Sequence, residues 1–157
     1  MSEFQRIQSL PTDTLAPLLD ASTAEGFRFV ERLVREWQEC KVRFDQPGEL
    51  LLAAYHGASI VAIGGLTADP YTNELAVGRL RHLYVWPDAR RRGIGTRLVR
   101  ALERAAQKTY RALVLRTDTQ TAARFYEALG YTPLPADGTA THRREPAMPA
   151  LSPDVTN

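Results

Sequence analysis

Apolar residues recur along this chain with two different periods, and the switches between them divide it into strands and helices. Residues 4–10 alternate loosely and predict a first strand. Pro11-Thr12-Asp13 then marks a turn and a helix entry, and Leu15, Leu18 and Leu19 fall on one face of a short helix. A longer helix is predicted over 24–40, where Phe27, Val30, Leu33, Val34 and Trp37 recur at three- and four-residue steps. After a turn at Gln46-Pro47-Gly48, two apolar runs, 50–55 and 59–66, flank His56-Gly57-Ala58 and predict an antiparallel hairpin. The stretch 69–73 reads as a loop.

The second half reads as a strand over 79–86, a helix over 93–108 with Leu98, Leu102 and Ala105 inward, and a short continuous apolar strand over 112–115. A helix over 121–129 is stopped by Gly130. Closing strands are predicted at 131–134 and 139–143, around Asp137-Gly138. Strand, helix and strand joined by a short crossover predict two parallel neighbours, and the earlier hairpin makes the sheet mixed. The expectation is one α/β (α+β) domain over 1–144, with about six or seven strands and about four helices. Residues 145–157, with three prolines, read as a tail.

One strand breaks its own pattern. Strict alternation over 79–85 sets Arg79, Arg81, Leu83 and Val85 on one face, whereas the core candidates are Leu80, Leu83 and Val85. A β-bulge, one extra residue near 81–82, restores the parity. It also leaves a backbone N–H without a ladder partner, free for a ligand. The alternative is an edge strand whose basic residues face water.

Composition adds little until charge is located. The net charge of +2 is too small to predict a nucleic-acid partner. Basic residues concentrate at Arg90-Arg91-Arg92, followed by Gly93-Ile94-Gly95, at the start of the 93–108 helix. Helix-start amides lack internal partners and favour anions, so a phosphate-bearing ligand is one reading. A solvated basic helix start is the other. Leu98 stands where a dinucleotide fingerprint needs its third glycine, and no Lys-Ser or Lys-Thr follows, so neither that motif nor a P-loop fits. Cys40 is the single cysteine, which excludes an internal disulfide and disfavours a cysteine metal site. Residues 1–6 lack the apolar core of a signal peptide, and no apolar run is long enough for a membrane span, so a cytoplasmic location without a membrane partner is expected.

With these segments in order, the chain resembles the GNAT superfamily of N-acetyltransferases over most of its length. The resemblance rests on Leu83-Tyr84-Val85-Trp86-Pro87, on Arg90-Arg91-Arg92-Gly93-Ile94-Gly95, and on the run from Ala122 through Phe125-Tyr126-Glu127 to Gly130-Tyr131. It implies a GNAT-like sheet whose central parallel strands splay apart, here 79–86 and 112–117. It also implies acetyl-CoA or another acyl-CoA as donor, with pyrophosphate on the amides of Arg91, Arg92, Gly93, Ile94, Gly95 and Thr96 beside Arg90. The pantetheine would pair with Val85 like an added strand.

Direct attack of a neutral primary amine on the thioester sets three needs. The bulge position of Leu83 offers its N–H to the oxyanion, a role the family also gives this amide. Tyr126 matches the family's general-acid tyrosine; the alternative is a core aromatic, although helical spacing sets it beside the apolar face of Ala122, Phe125 and Leu129 rather than at its centre. The family's glutamate base falls at Arg79, which stays protonated and cannot serve. His82 is the next candidate, with Asp69, Glu74 and His142 weaker. Thr119 stands where the family often has a cofactor-contacting asparagine, and it also suits a helix cap. Walls for the acceptor are Trp37, Phe44, Tyr71, Arg79, Arg81 and His142; the two arginines suit a carboxylate or phosphate. Two other classes remain: a non-catalytic acyl-CoA sensor of the same fold, and, last, a nucleic-acid binder. Pairing of edge strands between copies would give a homodimer.

Overall fold

The computed structural model describes residues 3–74, 76–135 and 138–145. A seven-stranded sheet carries two helices on each face. Its strands are β1 (Phe4–Arg6), β2 (Leu50–His56), β3 (Ser59–Ala68), β4 (Val77–Val85), β5 (Ala112–Leu115), β6 (Thr132–Pro133) and β7 (His142–Arg144). They lie in the order β1-β2-β3-β4-β5-β7-β6, all neighbours antiparallel except the β4–β5 pair. The helices are α1 (Thr12–Ala24), α2 (Phe29–Gln38), α3 (Ile94–Ala106) and α4 (Gln120–Ala128).

Both faces of the central strands are buried, which explains their unbroken apolar runs. Leu52, Ala54, Ala62, Leu66 and Leu80 pack with Leu98, Val99, Leu102 and Ala106 of α3 and with Tyr126 of α4. On the other face, Leu51, Ala53, Ile60 and Ile63 pack against Leu15 and Leu18 of α1 and Val30, Leu33 and Trp37 of α2. The inward position at the end of α3 is Ala106 rather than Ala105.

Several boundaries differ from expectation for local reasons. The first strand is only Phe4–Arg6, because pairing with β2 ends there apart from one further bond from Ile7 N–H to Leu51 O. The helix expected over 24–40 is shorter: the preceding helix α1 extends to Ala24, and Gly26, at φ 90°, turns the chain before α2 begins at Phe29. The left-handed conformation there costs glycine nothing. The closing strands are shorter than 131–134 and 139–143, although they pair as expected. Asp137 of their connecting turn and the tail beyond Glu145 lie outside the described residues. Among the described residues no helix is long and apolar enough to cross a membrane.

Glu103 is the buried acid that ties the α3 face together. Its carboxylate accepts from the Tyr131 hydroxyl at 2.8 Å, from Arg100 at 2.8 Å and from Arg144 of β7 at 3.0 Å. Replacing Glu103 by Ala strands the Tyr131 hydroxyl, while both arginines retain solvent access. The expected cost is about 2–3 kcal/mol in urea unfolding. An unchanged midpoint would show that the network contributes no stability.

Candidate functional site

The bulge sits where the parity argument sets it. Ile63 pairs with Tyr84 and Gly65 with Arg81, so two steps along β3 match three along β4. His82 adopts φ 60° at that point. Leu80, Leu83 and Val85 consequently all pack on the α3 side, while Arg81, His82 and Tyr84 face α1 and α2. Gly64 lies opposite the extra residue. A Cβ there would sit 2.8 Å from a methyl of Leu83, so a larger residue would force that side chain to shift.

Beyond the bulge the sheet opens. β4 and β5 pair only through Val77–Ala112, Gly78–Leu113 and Arg79–Val114. Among the described residues, Leu80 to Val85 thus have no strand paired with them on the β5 side. Trp86 N–H bonds to Val61 O on the β3 side. Antiparallel alternation then turns the N–H and C=O of Val85, and the N–H of Leu83, toward the opening.

The opening ends at the start of α3. Gly93 caps that helix in the left-handed region at φ 78°, and no side chain caps it. Arg97 N–H bonds to Gly93 O. Among the described residues, the amides of Ile94, Gly95 and Thr96 have no partner. A Cβ on Gly95 would lie 3.4 Å from Phe125 of α4 and 3.6 Å from Val85 of β4, so this residue sits between the two walls. Arg91 and Arg92 are exposed and make no ion pair among the described residues, and Arg91 is itself left-handed at φ 67°. Arg90 differs: its guanidinium grips Glu25 bidentately at 2.6 and 2.9 Å and donates from Nε to Val85 O at 3.0 Å. It holds the Glu25 carboxyl below its usual range, and Glu25 also accepts from the Tyr84 hydroxyl.

Tyr126 of α4 is buried in the α3-side core, its ring 5.0 Å from that of Phe125 and 5.6 Å from that of Tyr131. Among the described residues no hydrogen bond holds its hydroxyl. Burial pushes its pKa above the ordinary tyrosine value, so the group keeps its proton. Thr119 is the cap of α4, accepting from Ala122 N–H at 3.1 Å.

The other expected wall residues divide. Arg79 is committed: it donates to Asp69 at 2.9 Å and to Thr139 O at 3.1 Å, and it stacks 4.8 Å from the exposed ring of Tyr71. His142 is held at both nitrogens, by Glu127 at 2.9 Å and by the Thr141 hydroxyl at 2.9 Å. Trp37, Phe44, Arg81 and His82 gather between α2 and β4, with the Trp37 and Phe44 rings stacked at 6.4 Å. His82 Nδ1 lies 2.8 Å from Phe29 O. A carbonyl only accepts, so Nδ1 carries the proton and Nε2 is a bare lone pair. Burial, then the Arg81 charge, drive the imidazole pKa down to about 3. Sequence reasoning gave no partner to Glu25 at the end of α1, Glu36 of α2 or Glu127 of α4.

The sequence model of the acetyltransferase (GNAT) domain matches residues 47–133. A candidate acetyltransferase from Exiguobacterium sp. 255-15 has the same fold with a TM-score of 0.80 and 33% identity, over 90% of this chain and 91% of that one. An acetyltransferase of the GNAT family from Staphylococcus aureus Mu50 matches with a TM-score of 0.70 at 15% identity, over 90% and 98%. An acetyltransferase from Thermus thermophilus matches at 0.69 and 18%, over 92% and 97%; these last two speak to the fold alone. Among curated proteins none matches the chain closely enough to count as a relative. The split sheet, the bulged strand and the free helix-start amides therefore occur in a chain that belongs to the GNAT acetyltransferase family.

Proposed function

We propose that this chain transfers an acetyl group from acetyl-CoA to a primary amine by direct attack. The observation that carries the reading is the meeting of an open strand edge at Leu83–Val85 with the free amides of Ile94, Gly95 and Thr96. The residues fit the donor: Gly95 leaves room between Val85 and Phe125, and Arg91 and Arg92 lie beside the amides with no acid of their own. Val85 would pair with the pantetheine through its N–H and its carbonyl, whose second lone pair is free beside the Arg90 bond. Acetyl-CoA supplies the thioester, whose carbonyl carbon bonds to the amine nitrogen and whose C–S bond breaks.

Each remaining step falls to a residue of the chain. Leu83 N–H stabilises the oxyanion, a donor worth on the order of 10² to 10³ in rate. Tyr126 gives a proton or a strong hydrogen bond to the leaving sulfur. A thiol titrates near 8.5 and an ordinary tyrosine near 10, and burial lifts Tyr126 further, so complete transfer is uphill and the aid is moderate. With its pKa near 3, His82 cannot store a proton at neutral pH; its Nε2 instead accepts a hydrogen bond from the amine and orients it, and the proton passes to water. Tyr126→Phe is expected to lower kcat by about tenfold to a hundredfold, leaving acetyl-CoA affinity where it is. Unaltered turnover removes Tyr126 from the mechanism. Binding of acetyl-CoA without thiol release toward any amine would favour the sensor reading, which the weakly basic His82 and the committed Arg79 keep in play.

A further inference from the structure

The polar atoms between α2 and β4 do not balance. Among the described residues, two acceptors there are buried with no hydrogen-bond partner: His82 Nε2 and Glu36 Oε1. His82 is only 7% exposed. Glu36 Oε1 lies 3.5 Å from Arg81 Nη2, within ion-pair range but without a hydrogen bond. Both side chains are about four-fifths buried, at 22% and 20% exposure. Buried acceptors left unpaired are costly. A single group that satisfies both must bring at least two hydrogen-bond donors, one for each atom. It must also lie one residue from the bulge amide of Leu83.

Charge narrows the class further. Arg81 of β4 faces this seam, and Glu36 is the acid opposite it at 3.5 Å. Arg32 of α2 acts on His82 electrostatically but is exposed to water. A bare ammonium gains Glu36 and His82 but takes from Arg81 the acid that faces it. A carboxylate close to that ammonium gives Arg81 the planar partner its guanidinium favours. Trp37 and Phe44 form the apolar wall, with Phe44 edge-on to His82 at 6.1 Å. α2 packs on β4 along this seam, which favours a compact occupant.

We propose that the acceptor is a small zwitterion with a primary amine beside a carboxylate, an α-amino acid or a near relative. Glu36 holds its ammonium group and Arg81 its carboxylate. This deepens the acetyl-transfer reading and rests on it. The test measures thiol release from acetyl-CoA with glycine, leucine, phenylalanine and glutamate. Each is set against the matched amine that lacks the α-carboxylate, together with a lysine peptide blocked at its N-terminus. At least one amino acid is expected to exceed its decarboxylated partner by about a hundredfold in kcat/KM. Glu36→Gln is expected to raise the amino-acid KM about tenfold while the acetyl-CoA KM stays constant, and Arg81→Met to erase the preference for the carboxylate. Retained stabilisation by acetyl-CoA shows that each variant is folded. Preference for decarboxylated amines or for the peptide lysine overturns the zwitterion and leaves acetyl transfer standing, as does a Glu36→Gln enzyme with an unchanged amine KM. Absence of thiol release with every amine, despite acetyl-CoA binding, overturns both.

Discussion

Gly95→Glu is expected to abolish the stabilisation that acetyl-CoA confers. At a hundred times its dissociation constant the donor adds about 2.7 kcal/mol. For a chain of 157 residues that is a rise of about 5–10 °C in Tm. Gly95 stands between Val85 and Phe125, at the second residue of α3, where an anionic ligand would meet the free amides. A glutamate there extends its own carboxylate to those donors, fills the gap and repels phosphate. Gly95→Ala is the control. Its Cβ makes only ordinary contacts at 3.4 to 3.6 Å, so it folds and keeps most of the shift. A full shift in Gly95→Glu would set the donor site elsewhere.

His82 should make the protein lose stability as the solution is acidified. Its folded-state pKa of about 3 lies below the unfolded value of 6.5. Below pH 6.5 the unfolded chain takes up a proton that the folded chain refuses. Stability is complete above that pH and falls as pH drops toward 3. The slope from this one group reaches about 1.4 kcal/mol per pH unit within the window. Glu3 and Glu25, whose pKa values are lowered by Arg97 and Arg90, add loss in the same direction at lower pH. His82→Asn isolates the imidazole. Asparagine tolerates the φ of 60°, its amide N–H can replace Nδ1 toward Phe29 O, and it does not titrate. Urea unfolding from pH 7 to pH 4 should show a shallower fall in the variant. Parallel curves for both proteins would contradict the burial account.

The bulge was legible because it is a parity error: Leu80, Leu83 and Val85 cannot share a face without an extra residue. The α3 start was legible because arginines and glycines cluster where a helical period begins. The parallel pair followed from a short crossover. Side-chain commitments were less legible. Arg79 and Arg81 look alike in sequence, two residues apart on one strand. Asp69, ten residues before Arg79, folds back across the β3–β4 connection and takes it, whereas Arg81 meets Glu36 from a helix far upstream without a hydrogen bond. His142 could not be placed either, since Glu127 reaches it only once α4 lies over β7. Such pairings depend on long-range packing, and no local period encodes them. Helix ends were lost for a smaller reason: the apolar period of α2 runs on past Gly26, and the break comes from one left-handed residue.

The sharpest test is a crystal structure of the chain with coenzyme A. Pyrophosphate oxygens within about 3 Å of the amides of Ile94, Gly95 and Thr96, and a pantetheine arm along Leu83–Val85 with its sulfur toward Tyr126, are the expected outcome. Coenzyme A bound outside the split between β4 and β5, or those amides turned away from it, would contradict the account.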